Sequence, residues 1–313
     1  MLVAHSIAEV PFDKKSVVTV GTFDGVHLGH QKVIQRVRER AQAKGARSVL
    51  LTFEPHPREV VGRGPVKLLT TIDERIGLLD RTGTDILVIL EFTFEFSRQS
   101  SREFFEKNIV NGIGLEDVVV GHDHMFGRDR EAGVEELREL GRHFGFSVYR
   151  EPPFVVEEEI VGSSKIRETL LRGDVEKAGR WLGRPYFLSG QVIKGDGRGA
   201  SIGFPTANIQ PQNERKLIPA EGVYFVEVDF DGKNLFGMMN IGIRPTFNKD
   251  SARAIEVHLF DWSENLYGKT LRVHFRRRLR SEKKFASPEE LVEQLRRDQE
   301  QCMKFIAVHE HVR

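Results

Sequence analysis

The stretch TVGTFDGVHLGHQKVIQRVRERAQ, residues 19–42, leaves an apolar run, crosses a turn spaced by Gly21, Gly25 and Gly29, and enters a segment with helical periodicity. His27 and His30 stand at that junction with Gly29 between them. A strand followed by a glycine turn and a helix is the opening of a βαβ unit, so the fold is read outward from here. A helix N-terminus presents unpaired N–H groups and a partial positive charge, which suits an anion such as phosphate.

The pattern repeats down the first half. Ser16–Val20, Ser48–Phe53, Asp85–Leu90, Asp117–Val120 and Phe146–Tyr149 read as short buried strands. Gly29–Lys44, Asp73–Arg81, Ser101–Val110 and Glu131–Phe144 carry helical spacing between them. Strands alternating with helices predict a parallel sheet covered on both faces. Ser163–Arg172 and Asp174–Leu182 close this half as two further helices.

At Gly183–Gly190 the pattern changes to alternating strands separated by glycine and proline turns: Phe187–Lys194, Gly222–Asp229, Asn234–Ile241, Arg253–Leu259 and Thr270–Leu279. The Asp-Gly pair inside Asp229–Asn234 is a hairpin signal. Ser287, Pro288 and Glu290 mark the start of a terminal helix. The expectation is an α/β first half followed by a mainly β second half, an antiparallel barrel with one C-terminal helix. Trp262 and Tyr267 read as packing residues, and Arg276–Arg278 as a solvated face.

Bulk properties narrow the function. The chain has 313 residues, twice a common domain length. Its net charge of +1 supplies no general field for nucleic acid. The single cysteine, Cys302, excludes an internal disulfide and a multi-cysteine zinc site. No apolar run approaches a membrane span and no signal-peptide pattern opens the chain, so the expectation is a cytoplasmic protein without a membrane partner.

Three stretches carry chemistry. His-x-Gly-His after a strand suits phosphate binding, with both imidazoles as extra donors. In VGSSKIRETL, residues 161–170, serines followed by Lys165 and Arg167 at a helix start suit the polyphosphate of a nucleotide, although Ser-Ser is also a plain capping signal. In IKGDGRGASIGFPTANI, residues 193–209, Gly195, Gly197, Gly199 and Gly203 form a loop able to wrap phosphates, without the Walker spacing. His122, Asp123 and His124 are adjacent, and adjacent residues rarely converge on one metal ion.

GTFDGVHLGHQKVI, FEPHPRE (residues 53–59), GHDHMFGRDREAG (121–133) and GSSKIRETLLRGDVEKAGRWLGRPY (162–186) resemble the prokaryotic bifunctional riboflavin kinase/FAD synthetase family. PTAN, EGVYFVEV, NIGIRPTF, EVHLFDW and LRSEKKF continue the likeness through the second half. The resemblance implies a Rossmann-like nucleotidylyltransferase domain over 1–184 that adenylylates FMN, and a riboflavin-kinase barrel over 185–313.

By that resemblance His27, His30 and Arg167 are catalytic in the first domain, and Gly21, Phe23, Asp24, Gly29, Ser163 and Ser164 join them around ATP. His56, Asp123 and Phe126 fall at the FMN end. In the second domain Gly195, Gly197, Gly203, Thr206 and Asn208 bind ATP, with Thr206 and Asn208 toward Mg2+. Glu256 is the implied general base, and Arg280, Glu282 and Phe285 the flavin contacts. The implied partners are riboflavin, FMN and ATP, with the chain a monomer or weak homo-oligomer. Gly162 replaces a serine of the usual motif and His124 an aromatic. Those two departures are the basis of the alternative, a flavin- or nucleotide-binding regulator with impaired catalysis.

Overall fold

A computed structural model describes residues 1–62, 64–122, 133–195, 197–243 and 253–310. The chain divides into two compact units, Met1–Ser163 and Ser164–Arg313.

The first unit is built on a six-stranded sheet. Its strands are β1 (Leu2–Ala4), β2 (Ser16–Val20), β3 (Arg47–Glu54), β4 (Ile86–Glu91), β5 (Asp117–Val120) and β6 (Ser147–Arg150). They lie in the order β1-β4-β3-β2-β5-β6, and every pair is parallel. The strands predicted from sequence are present within a residue or two at each end. The three-residue β1 was missed because it is too short to show a period.

Helices α1 (Leu28–Lys44), α2 (Pro57–Val60), α3 (Ile72–Asp80), α4 (Phe94–Ser97), α5 (Ser101–Phe104) and α6 (Val134–Phe144) connect the strands. A π-helical stretch, Phe105–Ile113, continues α5 where a plain helix was expected. Residues 131–132, the expected start of α6, lie outside the described residues.

Alternation along β2 shows why both faces are covered. Val17 packs with Val33, Val37 and Ala41 of α1, whereas Val18 and Val20 pack with Phe105, Ile109 and Ile113 on the opposite face. Neighbouring residues of a strand point to opposite faces, so a doubly covered strand must be apolar throughout. The sheet order also reverses at β2, with β3 and β4 on one side and β5 and β6 on the other. Such a switch point opens a crevice beyond the strand's carboxyl end, where His27 and His30 follow.

A small hairpin, β7 (Val155–Val156) with β8 (Glu159–Ile160), closes the first unit. Helices α7 (Ser163–Leu171) and α8 (Val175–Leu182) follow. Beyond Ser163 both fall in the second unit, where α8 packs on the barrel. Asp174 caps α8 by accepting from the Lys177 N–H at 2.9 Å.

The barrel strands are β9 (Tyr186–Ile193), β10 (Ala207–Pro211), β11 (Gly222–Phe230), β12 (Lys233–Ile243), β13 (Arg253–Leu259) and β14 (Thr270–Arg280). A short α9 (Arg198–Ser201) interrupts the β9–β10 connection, and α10 (Pro288–Glu310) ends the chain. The strands close in the order β10-β13-β12-β11-β14-β9, with antiparallel pairing throughout. β10 is not among the strands expected from sequence, because Pro205-Thr206-Ala207-Asn208 carries little strand signal. Asp231 (φ 50°) and Gly232 (φ 74°) form the expected two-residue turn between β11 and β12.

Side chains fill this small barrel. Tyr224, Val226 and Val228 are fully buried, and the Tyr224 and Phe275 rings meet edge-on at 5.3 Å. Burial pushes the Tyr224 hydroxyl up to about 12. The alternate residues Val223 and Phe225 face outward and pack, with Met238, Phe204 and Phe260, against Val292, Leu295, Phe305 and Ile306 of α10. Cys302 lies in this layer, and burial likewise pushes its thiol up to about 12. The expected solvated face at Arg276–Arg278 is instead engaged: Arg276 pairs with Glu227, Arg277 with Glu176, and Arg278 donates to the Glu221 carbonyl. Tyr267 is 57 % exposed and does not pack in the core.

Candidate active sites

The turn from β2 into α1 is strained and held in place. Phe23 (φ 46°) and Val26 (φ 40°) adopt left-handed backbone, which costs a non-glycine residue about 1–3 kcal/mol. Both side chains are buried with Ile34, Leu50 and Leu79. Between them the fully buried Asp24 carboxylate accepts from the N–H of Leu69 (3.1 Å) and Thr70 (2.8 Å) and from the Thr70 hydroxyl (3.0 Å). Gly25 N–H donates to the same Thr70 oxygen at 3.0 Å. Asp24 is therefore a strut that fixes the turn on residues 69–70. Replacing it with Ala strands two backbone donors. The expected loss is about 3–5 kcal/mol in the unfolding free energy of the first unit, read by chemical denaturation.

His27 is the N-cap of α1, and its Nδ1 accepts from the His30 N–H at 3.3 Å. With Nδ1 accepting, the proton of the neutral ring sits on Nε2. The two imidazoles stack with centroids 3.6 Å apart, and Phe23 meets His30 edge-on at 5.3 Å. Gly29 permits this arrangement, since a Cβ there would lie 3.2 Å from Nδ1 and Cε1 of His27. The helix start and both rings thus converge at the switch point of the sheet.

Ser163 opens α7 and donates from its hydroxyl to the Asp24 carbonyl at 2.9 Å. Ser164 is exposed, and Arg167 is half-buried after the fully buried Ile166. Gly21 follows β2, and a Cβ added there would lie 3.3 Å from the Phe23 ring. His56 is buried and caps α2 through Nδ1, accepting from the Arg58 N–H at 3.2 Å. Asp123, His124 and Phe126 lie outside the described residues. Among the described residues no cluster of three or more His, Cys, Asp or Glu could hold a metal ion.

In the second unit the glycine loop lies directly on the polar residues that follow it. A Cβ at Gly195 would overlap the Asn208 amide, and one at Gly199 would lie 3.3 Å from Thr206 Oγ1 and overlap the Phe204 carbonyl. Gly197 (φ 71°) and Gly203 (φ 82°) take left-handed backbone at the ends of this loop. Asn208 on β10 pairs with Glu256 on β13, so the two side chains share one face. His258, on the same face of β13, fixes the approaching loop through Nδ1 and the Pro205 carbonyl, 2.8 Å apart.

Arg280 lies on Asp298 of α10, with Nε 2.9 Å and Nη2 2.8 Å from Oδ2, and Gln294 donates to Oδ1 of the same carboxylate at 2.9 Å. Phe285 sits 5.7 Å from the Arg280 guanidinium. The Glu282 carboxylate lies against Gly242 of β12, in the space a Cβ would take. Sequence reasoning missed the residues acting through others: Leu69 and Thr70 under the first turn, and His258 and Asp298 around the second site. A capping box at Thr71–Glu74 starts α3, but nothing local links Thr70 to Asp24.

Residues 9–165 match the family model for FAD synthetase, and residues 182–306 match that for riboflavin kinase. A Bacillus subtilis (strain 168) protein named bifunctional riboflavin kinase/FMN adenylyltransferase is 36% identical over 298 residues, spanning 94% of this chain and 93% of its own. The chain belongs to the bifunctional riboflavin kinase/FMN adenylyltransferase family. A family member from Listeria monocytogenes is 37% identical over 94% of both chains. A solved structure from Streptococcus pneumoniae, described as a macrolide-efflux protein, aligns with a TM-score of 0.87 at 31% identity, over 96% of this chain and 97% of that one. Among the described residues no helix is long and apolar enough to cross a membrane. As a family member the chain is a transferase with two activities: ATP phosphorylates riboflavin to FMN, and ATP then adenylylates FMN to FAD with release of pyrophosphate.

Proposed function

We propose that residues 1–184 perform the adenylylation and residues 185–313 the phosphorylation, each with its own ATP. The observation that carries the first assignment is the stacked His27–His30 pair at the N-terminus of α1, beyond the switch-point strand. FMN brings a phosphate that is already an anion, so its attack on the α-phosphorus of ATP needs positioning and charge neutralisation rather than a base. His27 Nε2, His30 and the helix N-terminus serve that charge. Ser163, Ser164 and Arg167 take the pyrophosphate side, and Gly21 and Gly29 keep the backbone close. Phe23 and Asp24 hold the turn and belong to the ATP site, and His56, Asp123 and Phe126 are the proposed FMN contacts.

The kinase chemistry differs because the ribityl hydroxyl of riboflavin is neutral. Glu256 removes its proton as oxygen attacks the γ-phosphorus, while Gly195, Gly197 and Gly203 place backbone N–H groups on the phosphates. Thr206 and Asn208 offer neutral oxygen donors beside a backbone cradle that a Cβ would fill, a set that fits Mg2+ shared with substrate phosphates. When bound, Mg2+ would neutralise charge on the transferring phosphoryl group. Arg280, Glu282 and Phe285 contact the flavin, and Arg280 also ties their segment to Asp298 of α10.

Gly195→Ala is expected to cut FMN formation by about 100-fold or more, because the methyl displaces Asn208, without slowing conversion of added FMN to FAD. Separating the flavins made from riboflavin and from FMN, each with Mg-ATP, checks both statements. FMN formation at the wild-type rate would contradict the placement of this loop.

ATP as co-substrate favours a cytoplasmic enzyme with small-molecule partners only, acting as a monomer or weak homo-oligomer. The near-neutral net charge of +1 is in keeping with no nucleic-acid partner, and a membrane partner is likewise not proposed.

A further inference from the structure

The turn that leads into His27 and His30 rests on two supports, and one buried cation touches both. On one side Asp24 accepts from the N–H groups of Leu69 and Thr70 and from the Thr70 hydroxyl. On the other, the Thr52 hydroxyl near the end of β3 donates to the Thr22 carbonyl at 3.1 Å. Arg75 of α3 reaches the two supports at once. Its Nη1 donates to Thr52 Oγ1 (3.3 Å) and the Phe53 carbonyl (3.5 Å), and its Nη2 donates to the Thr70 carbonyl (3.4 Å).

Arg75 is 1 % exposed, so its guanidinium acts through protein neighbours rather than on solvent or substrate. Burying such a cation is unfavourable unless its donors meet fixed acceptors. The acceptors it meets are the supports of the turn. Thr52 has a single hydroxyl proton, given to Thr22, and a donor on its oxygen keeps the hydroxyl turned that way. Thr70 is held from both ends, its N–H and hydroxyl on Asp24 and its carbonyl on Arg75. Phe23 and Val26 take left-handed backbone, a strain that persists only where the surroundings over-determine it.

We propose that Arg75 is a positioning residue for FMN adenylylation: by orienting Thr52 under Thr22 and Thr70 under Asp24, it fixes the strained turn from which His27 and His30 meet the phosphates. This role rests on the reading of the His27–His30 turn as the adenylylation site. A planar guanidinium suits it, because its fork spans two segments that a lysine ammonium cannot hold together in the same geometry.

The test uses the full chain and follows FAD formation in a single turnover, with enzyme in excess over FMN and Mg-ATP saturating. At saturating enzyme the rate constant reports folded molecules alone, since an unfolded fraction lowers the number of sites and not their speed. For Arg75→Met the expected rate constant is about 10–100-fold below wild type, the effect of a small misplacement of groups around the reacting phosphates. Arg75→Lys keeps the charge and one of the two attachments and should recover part of the rate. Thr52→Val removes the hydroxyl at nearly the same volume and should lower the same rate constant. Its loss should not multiply with that of Arg75→Met, because both act on one network. Riboflavin phosphorylation by each preparation should match wild type.

A wild-type single-turnover rate constant in Arg75→Met, with only the steady-state rate per mole of protein reduced, would make Arg75 a fold-stabilising residue and overturn the proposal. Should Arg75→Met form no FAD at all, Arg75→Lys and Thr52→Val decide: wild-type rate constants in both overturn the positioning role. His30→Ala serves as reference. If it keeps the wild-type rate constant, the reading of the turn as the adenylylation site falls. If His30→Ala is slow and the Arg75 variants are not, only the role of Arg75 falls.

Discussion

Glu256→Gln is expected to lower FMN formation from riboflavin by about three orders of magnitude, while added FMN is still converted to FAD at the wild-type rate. The reason is the unequal chemistry of the two nucleophiles. A neutral hydroxyl must lose its proton during attack, and Glu256 lies on the strand face that also carries Asn208 and the glycine loop. Glutamine keeps the size and a hydrogen bond but has no affinity for the proton. Rapid separation of flavins after incubation with Mg-ATP gives both rates from one preparation. A kinase rate within about tenfold of wild type would remove Glu256 from the base role.

The paired replacement His27→Ala with His30→Ala carries the opposite expectation. FAD formation from added FMN should fall by at least about 1,000-fold, since a single preorganised donor to developing charge commonly contributes 100–1,000-fold, by order of magnitude. Phosphorylation of riboflavin should continue. Part of the loss comes from geometry, because His27 also caps α1 through Nδ1. Adding Asn in place of His27 while keeping His30→Ala separates the two contributions: a capping side chain restores the helix start but not the Nε2 donor. Full recovery of FAD formation in that variant would reduce the histidines to a structural cap. Loss of both reactions in the Ala pair would contradict two independent sites.

Much of this was open to reading from the chain alone, for reasons of period and spacing. A doubly covered strand such as Val17–Val20 must be apolar at consecutive positions, and α1 must bury Val33, Val37 and Ala41 at helical intervals. The Asp231-Gly232 turn needs two left-handed residues and advertises itself. His27, Gly29 and His30 lie within four positions of one another, so their shared location was also local information. The strands β1 and β10 were not readable, being short or polar.

The partners that act at a distance were less accessible still. Asp24 is 45 and 46 positions from the N–H groups it accepts, and Arg280 is 18 from Asp298. The folded chain sets Asp24 on residues 69–70 and Arg280 on Asp298 of α10, contacts that stand beside the ligand roles the resemblance implies for both. Local order of residues determined the two-part α/β and β architecture, the family motifs and the types of chemistry on offer. Only tertiary structure decided that Asp24 is a strut, that Gly195 makes room for an amide, and that Glu256 lies across from Asn208. Hydrophobic periodicity is written along the chain, but hydrogen-bond partners are chosen by strand register and turn geometry, which bring together residues with no pattern in common.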